Sequence, residues 1–115
     1  MSTKLKKINS FKSRVHFLRP TDDPDRDQEA SFVAEFHYMD APTFDAMLAG
    51  SPKDAEVLDR VLIGVTEYGD ENGNALSFEA AKEAIEKDIS QRSATVRTFI
   101  ERLSGTAAKN SNRSR

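Results

Sequence analysis

The chain of 115 residues has no cysteine, no tryptophan and only two histidines. Lack of thiols excludes disulfide scaffolds, thiolate zinc sites and cysteine nucleophiles. No apolar run approaches the roughly 20 residues needed to cross a bilayer. The basic start lacks a signal-peptide core, because Ile8, Phe11 and Val15 stand isolated among polar residues. No serine sits in a nucleophile-elbow sequence, no glycine-rich phosphate loop is present, and no histidine pair has zinc-protease spacing. A soluble, cytosolic, non-enzymatic protein without a cofactor is expected. The triplet Asn112-Arg113-Ser114 is read as a chance match to a glycosylation sequon.

Charge is abundant and unevenly placed. The formal net charge of −2 divides into +6 over residues 1–19, −13 over residues 20–91 and +5 over residues 92–115. An acidic centre repels phosphates, so this balance disfavours a nucleic-acid binder. The core is expected to be thin. A chain this short buries only about two-thirds of its unfolded surface, and a partner or self-association then adds stability.

Two segments alternate with a period of two. Phe11, Ser13, Val15 and Phe17 share one face, with Lys12, Arg14, His16 and Leu18 on the other. Phe32, Ala34, Phe36 and Tyr38 likewise share a face, opposite Val33, Glu35 and His37. Antiparallel pairing with Phe17 facing Phe32 and Arg14 facing Glu35 satisfies both the apolar face and an ion pair. The acidic, proline-punctuated stretch from Pro20 to Glu29 joins the two strands.

Helical spacing follows. Asp40 and Thr43 offer caps before Phe44, Met47 and Leu48, and Gly50 ends that segment. Ser51-Pro52-Lys53-Asp54 reads as the next start, with Val57, Leu58, Val61 and Leu62 as its stripe and Gly64 as its stop. Asn72-Gly73 signals a tight turn. Ser77 caps a third helix with Ala81, Ile85 and Ile89 on one side. The stripe changes phase near Ser90, and a last helix carries Val96, Phe99, Ile100 and Leu103 up to Gly105. The expected fold is α+β: an N-terminal β-hairpin and then about four short α-helices. A flexible basic arm (1–10), one domain (11–105) and a disordered basic tail (106–115) make up the chain.

Candidate ligand sets are weak. Counted from Asp23, the sixth and twelfth positions of a calcium loop hold Gln28 and Ala34 instead of Gly and Glu. Asp23, Asp25 and Asp27 therefore read as a solvated loop, and Asp70, Asn72 and Asn74 as a turn. His16 and His37 read as exposed strand residues, for want of further ligands. Arg92, Arg97 and Arg102 step by roughly 140° around a helix, which is not a groove-reading stripe. The stripe Val96, Phe99, Ile100 and Leu103 remains as a partner-binding candidate, with Val57, Val61 and Leu62 as a second. Either set also suits an ordinary core face.

One stretch resembles a known family. Val61-Leu62-Ile63-Gly64-Val65, the acidic turn Asp70-Glu71-Asn72-Gly73, the helix opening Leu76-Ser77-Phe78-Glu79 and a second short helix with Phe99 follow in that order. This order is similar to the phage tail assembly chaperones of long, non-contractile tails. Val65 stands where that family usually has an aromatic residue, and Ser77 where it commonly has a proline.

The resemblance implies a non-enzymatic, homo-oligomeric assembly factor in the host bacterial cytoplasm. It would bind the tape measure protein and the tail tube protein and be missing from the mature virion. A small tail-completion or connector protein is the alternative, and a small DNA-binding regulator the third.

Overall fold

The structure, a computed structural model, describes residues 3–105. The expected tail and the sequon lie outside the described residues. Two long strands open the fold, β1 (Ser10–Pro20) and β2 (Asp27–His37). Helices α1 (Ala41–Ala49) and α2 (Asp54–Val61) follow, then strand β3 (Leu62–Thr66) and helices α3 (Phe78–Lys87) and α4 (Ile89–Ser104). The sheet is antiparallel in the order β1-β2-β3, and the arrangement is α+β. No helix among the described residues is long and apolar enough to cross a membrane.

The two faces of the hairpin are as the alternation predicts, but the register differs by two residues. Val15 lies opposite Phe32, Phe17 opposite Ala30 and Phe11 opposite Phe36. A shift of two leaves every side chain on its own face, so the apolar pattern cannot distinguish these registers. The turn separates them: Thr21 Oγ1 donates to the Arg26 carbonyl at 2.8 Å and closes a connection over residues 21–26. Arg14 consequently faces Val33 instead of Glu35. It reaches across to the carboxylate of Glu67 with two hydrogen bonds of 3.1 Å. Lys12 takes the place opposite Glu35, whose carboxylate also accepts from Ser10 Oγ at 2.8 Å.

Strand β3 replaces the expected helix end at Gly64. Leu62 pairs with Phe36 and Gly64 with Glu35, leaving Ile63 as the extra residue of a bulge. Gly64 is required by close approach, since a Cβ there would meet Glu35 Oε1 at 3.2 Å and Glu35 Cβ at 3.3 Å. Helix α2 starts later than expected. Ser51 has φ 48° and Pro52 precedes the helix, which Lys53 caps while its N–H donates to Glu56 Oε1 at 3.3 Å. The caps at Asp40, Ser77 and Gly105 match expectation: Thr43 N–H donates to Asp40 Oδ1 at 2.9 Å, and Ala80 N–H to Ser77 Oγ at 3.2 Å. Gly105 ends α4 in the left-handed region, with φ 75°.

Helix α4 covers the inner face of the sheet, and aromatic packing holds it there. Phe99 is fully buried, with ring centroids 5.3 Å from Phe36, 6.1 Å from Phe11 and 6.2 Å from Phe44. Val15, Phe32, Leu58, Val61 and Ile85 complete the centre of the core. A Lys82–Asp59 ion pair of 3.0 Å ties α3 to α2, and hydrogen bonding to that ammonium holds the Asp59 carboxyl below its usual pKa.

Two outcomes follow from this packing. Phe99→Ala is expected to lose about 3–5 kcal/mol of stability, read from urea unfolding, because a central cavity replaces the ring. Burial, the largest cause, raises the Tyr68 phenol above its ordinary pKa. The folded state then holds that proton more tightly, so its contribution is complete below about pH 10 and is lost as pH rises through the folded value. Unfolding midpoints taken across this range should fall more steeply for the parent than for Tyr68→Phe.

Candidate functional site

Five of the seven side chains expected to meet a partner are buried in the core: Val57, Val61, Leu62, Val96 and Phe99. Ile100 and Leu103 are half-buried and pack against that core. Their apolar surface is satisfied within this chain, because α4 and α2 turn those stripes toward the sheet. Both candidate faces thus take the core position that such stripes also suit, and these five residues are not exposed to a partner in this structure.

Exposed apolar side chains lie elsewhere. Ile89 is 71% exposed and Leu18 is 53% exposed. Ile89 was expected on the apolar side of the third helix. Asp88 instead takes an extended conformation, φ −106° and ψ 118°, and separates α3 from α4. The chain restarts as a new helix, with Ile85 buried before the break and Ile89 exposed after it.

A polar network fixes that junction. The Tyr68 hydroxyl donates to Gln91 Oε1, and Gln91 Nε2 donates to Asp88 Oδ2 at 2.7 Å. Thr95 Oγ1 donates to the Gln91 carbonyl at 2.7 Å, and Arg19 lies 3.9 Å from the Asp88 carboxylate. The start of α4 is thereby held beside the far end of β1.

A groove of about 770 Å³ lies between these elements, with Phe17, Leu18, Ala30, Ile89 and Ala94 among its walls. A second groove of about 340 Å³ continues it, between Ser13, Arg14 and His16 of β1 and Arg97, Thr98, Glu101 and Arg102 of α4. His16 and Arg97 line both, so the two form one channel. Residues from both faces of β1 border the smaller groove, which runs along the strand's edge, whereas the larger one extends across β1 onto Glu29, Ala30 and Ser31 of β2. The larger groove is mainly apolar with Glu29 at its margin, and the smaller one carries Arg14, Arg97 and Arg102 against the single carboxylate of Glu101. Arg102 Nη1 donates to Ser13 Oγ at 3.4 Å across the basic end.

The remaining residues singled out in the sequence have local roles. The Asp23 carboxylate accepts from Asp25 N–H at 2.9 Å within the β1–β2 turn. Asp70 Oδ1 accepts from the N–H groups of Asn72 at 2.9 Å and Asn74 at 3.0 Å, and Gly73 takes φ 82° to complete the second turn. His16 and His37 are exposed and lie opposite Ser31 and Ser10. No cluster of three or more potential metal ligands occurs among the described residues. Arg92 turns inward, donating from Nη1 to the Glu86 carbonyl at 3.3 Å.

Leu18→Ser and Ile89→Ser are each expected to change stability by no more than about 0.5 kcal/mol, since neither side chain is needed by the core. Ile85→Ser, at a fully buried position, should destabilise by several times that amount in the same urea titration. Comparison with known protein families, curated proteins and solved structures finds no match to this chain.

Proposed function

We propose that this protein is a non-enzymatic phage tail assembly chaperone that binds the tape measure protein and keeps it soluble before the tail tube polymerises. The observation that carries the proposal is the channel between β1 and α4. It brings the exposed side chains of Leu18 and Ile89 together on one surface. Apolar segments of a long partner lose their hydration there, and the acidic body keeps the complexes apart in solution. The order of motifs from Val61 to Phe99 supports the same reading. The contacts are assigned to Phe17, Leu18 and Ile89 in place of the buried stripes.

In this role the protein acts in the host bacterial cytoplasm, self-associates, hands its cargo to the tail tube protein and leaves before the virion matures. Co-expression with the tape measure gene tests the role. The large protein should be recovered soluble with this chain, and the soluble fraction should fall several-fold with a folded Leu18→Asp/Ile89→Asp variant. A tape measure protein equally insoluble with and without the chain refutes the proposal. Recovery of the chain in ring-like copy number from purified particles does so equally, because it marks a structural component.

A further inference from the structure

The register of the hairpin determines which backbone groups of β1 have no partner. Tyr38 N–H donates to the Asn9 carbonyl at 2.9 Å, and these two residues are directly opposite in the ladder. Hydrogen-bonded pairs alternate along an antiparallel ladder. Phe11, Ser13, Val15 and Phe17 therefore bond to β2, whereas Lys12, Arg14, His16 and Leu18 turn their N–H and C=O groups outward. No strand lies beyond β1 among the described residues, and of these four Arg14, His16 and Leu18 border the channel. An edge of this length is a template for another strand unless something blocks it. Here α4 packs on the inner face and leaves the edge itself open.

The side chains bordering the channel specify what fits. Phe17, Leu18 and Ile89 make its apolar end; at the other end Arg97 and Arg102 outweigh the one carboxylate of Glu101. Neither arginine has an ion-pair partner among the described residues. From Ser13 to Phe17 the strand advances about 13 Å, at roughly 3.3 Å per residue. A strand laid antiparallel against β1 meets the apolar end first and the arginines four residues later. Positions four apart also share a face of a strand.

We infer that the β1 edge accepts an extended partner segment by strand addition, with an apolar side chain followed four residues later by a carboxylate. A second copy of β1 is a poor occupant, because it brings Lys12, Arg14 and Arg19 to an edge already basic. This inference rests on the channel being the contact site proposed above, and it states how a cargo segment is held there: extended, with main-chain bonds giving affinity and the two ends giving selectivity.

The test uses the full chain and a capped threonine-rich peptide of about nine residues, with leucine third, valine fifth and glutamate seventh. Followed by NMR, binding should slow amide exchange at Lys12, Arg14, His16 and Leu18 while leaving the already bonded Phe11, Ser13, Val15 and Phe17 unchanged. Methylating alternate peptide nitrogens on the bonding edge should weaken binding at least about tenfold, since several backbone bonds are lost. His16→Pro should abolish binding in a folded protein, because its N–H points away from β2 and proline is tolerated there. Arg97→Glu should weaken the glutamate peptide and favour its lysine counterpart.

The inference is overturned by binding that is indifferent to peptide methylation, by protection confined to α4, or by no binding at millimolar peptide. Displacement of the peptide by duplex DNA with no preference for glutamate over lysine also overturns it, in favour of a phosphate-binding edge. If His16→Pro does not fold, the methylated peptide still decides. Peptide binding without rescue of the tape measure protein removes the chaperone proposal and leaves strand addition standing. The reverse result removes only strand addition.

Discussion

The packing of Phe99 against Phe11, Phe36 and Phe44 is the contact on which the arrangement depends. It joins the last helix to the first two strands and to α1, residues far apart in the chain, with ring centroids between 5.3 and 6.2 Å. Because the rings meet on the inner face of the sheet, α4 lies over that face and does not cap the edge of β1. The fold's main hydrophobic contact and its open edge are therefore two results of one docking geometry. A helix shifted outward to cover the edge would lose the contacts that bury Phe99.

The second constraint is polar. Tyr68, Gln91, Asp88 and Arg19 hold the junction between α3 and α4 against the end of the hairpin. Asp88 sits where an N-cap belongs, yet its carboxylate is engaged by the Gln91 side chain and does not cap the helix. That choice sets the start of α4 and leaves Ile89 outside the core, next to Leu18. The charge partition acts on a larger scale. The acidic segment from 20 to 91 supplies most of the helical surface, while basic side chains gather on β1 and α4 along the channel.

Much of this was readable from residue order. Alternation identified the inner faces of β1 and β2, because burial on one side requires it. Asp40, Ser77 and Gly105 marked helix ends through side-chain oxygens or permissive backbone. The register was not readable, since a two-residue shift preserves every face and the turn decides it. Strand β3 was hidden because Leu62 extends the apolar spacing of α2 and five residues carry little periodic signal. The binding stripes chosen from spacing are core, as amphipathic helices in small domains commonly are. Leu18 was the available clue to the channel, an apolar residue on the otherwise polar face of β1. Ile89 carried no such clue, because only the break at Asp88 removes it from the stripe of α3.

The whole arrangement turns on α4 docking on the inner face while the edge of β1 stays unpaired. Residue-resolved amide exchange of the free protein measures this most directly. Alternation along β1 is expected, with slow exchange at Phe11, Ser13, Val15 and Phe17 and fast exchange at Lys12, Arg14, His16 and Leu18. Uniform protection across Phe11 to Leu18, or alternation of the opposite phase, would contradict it.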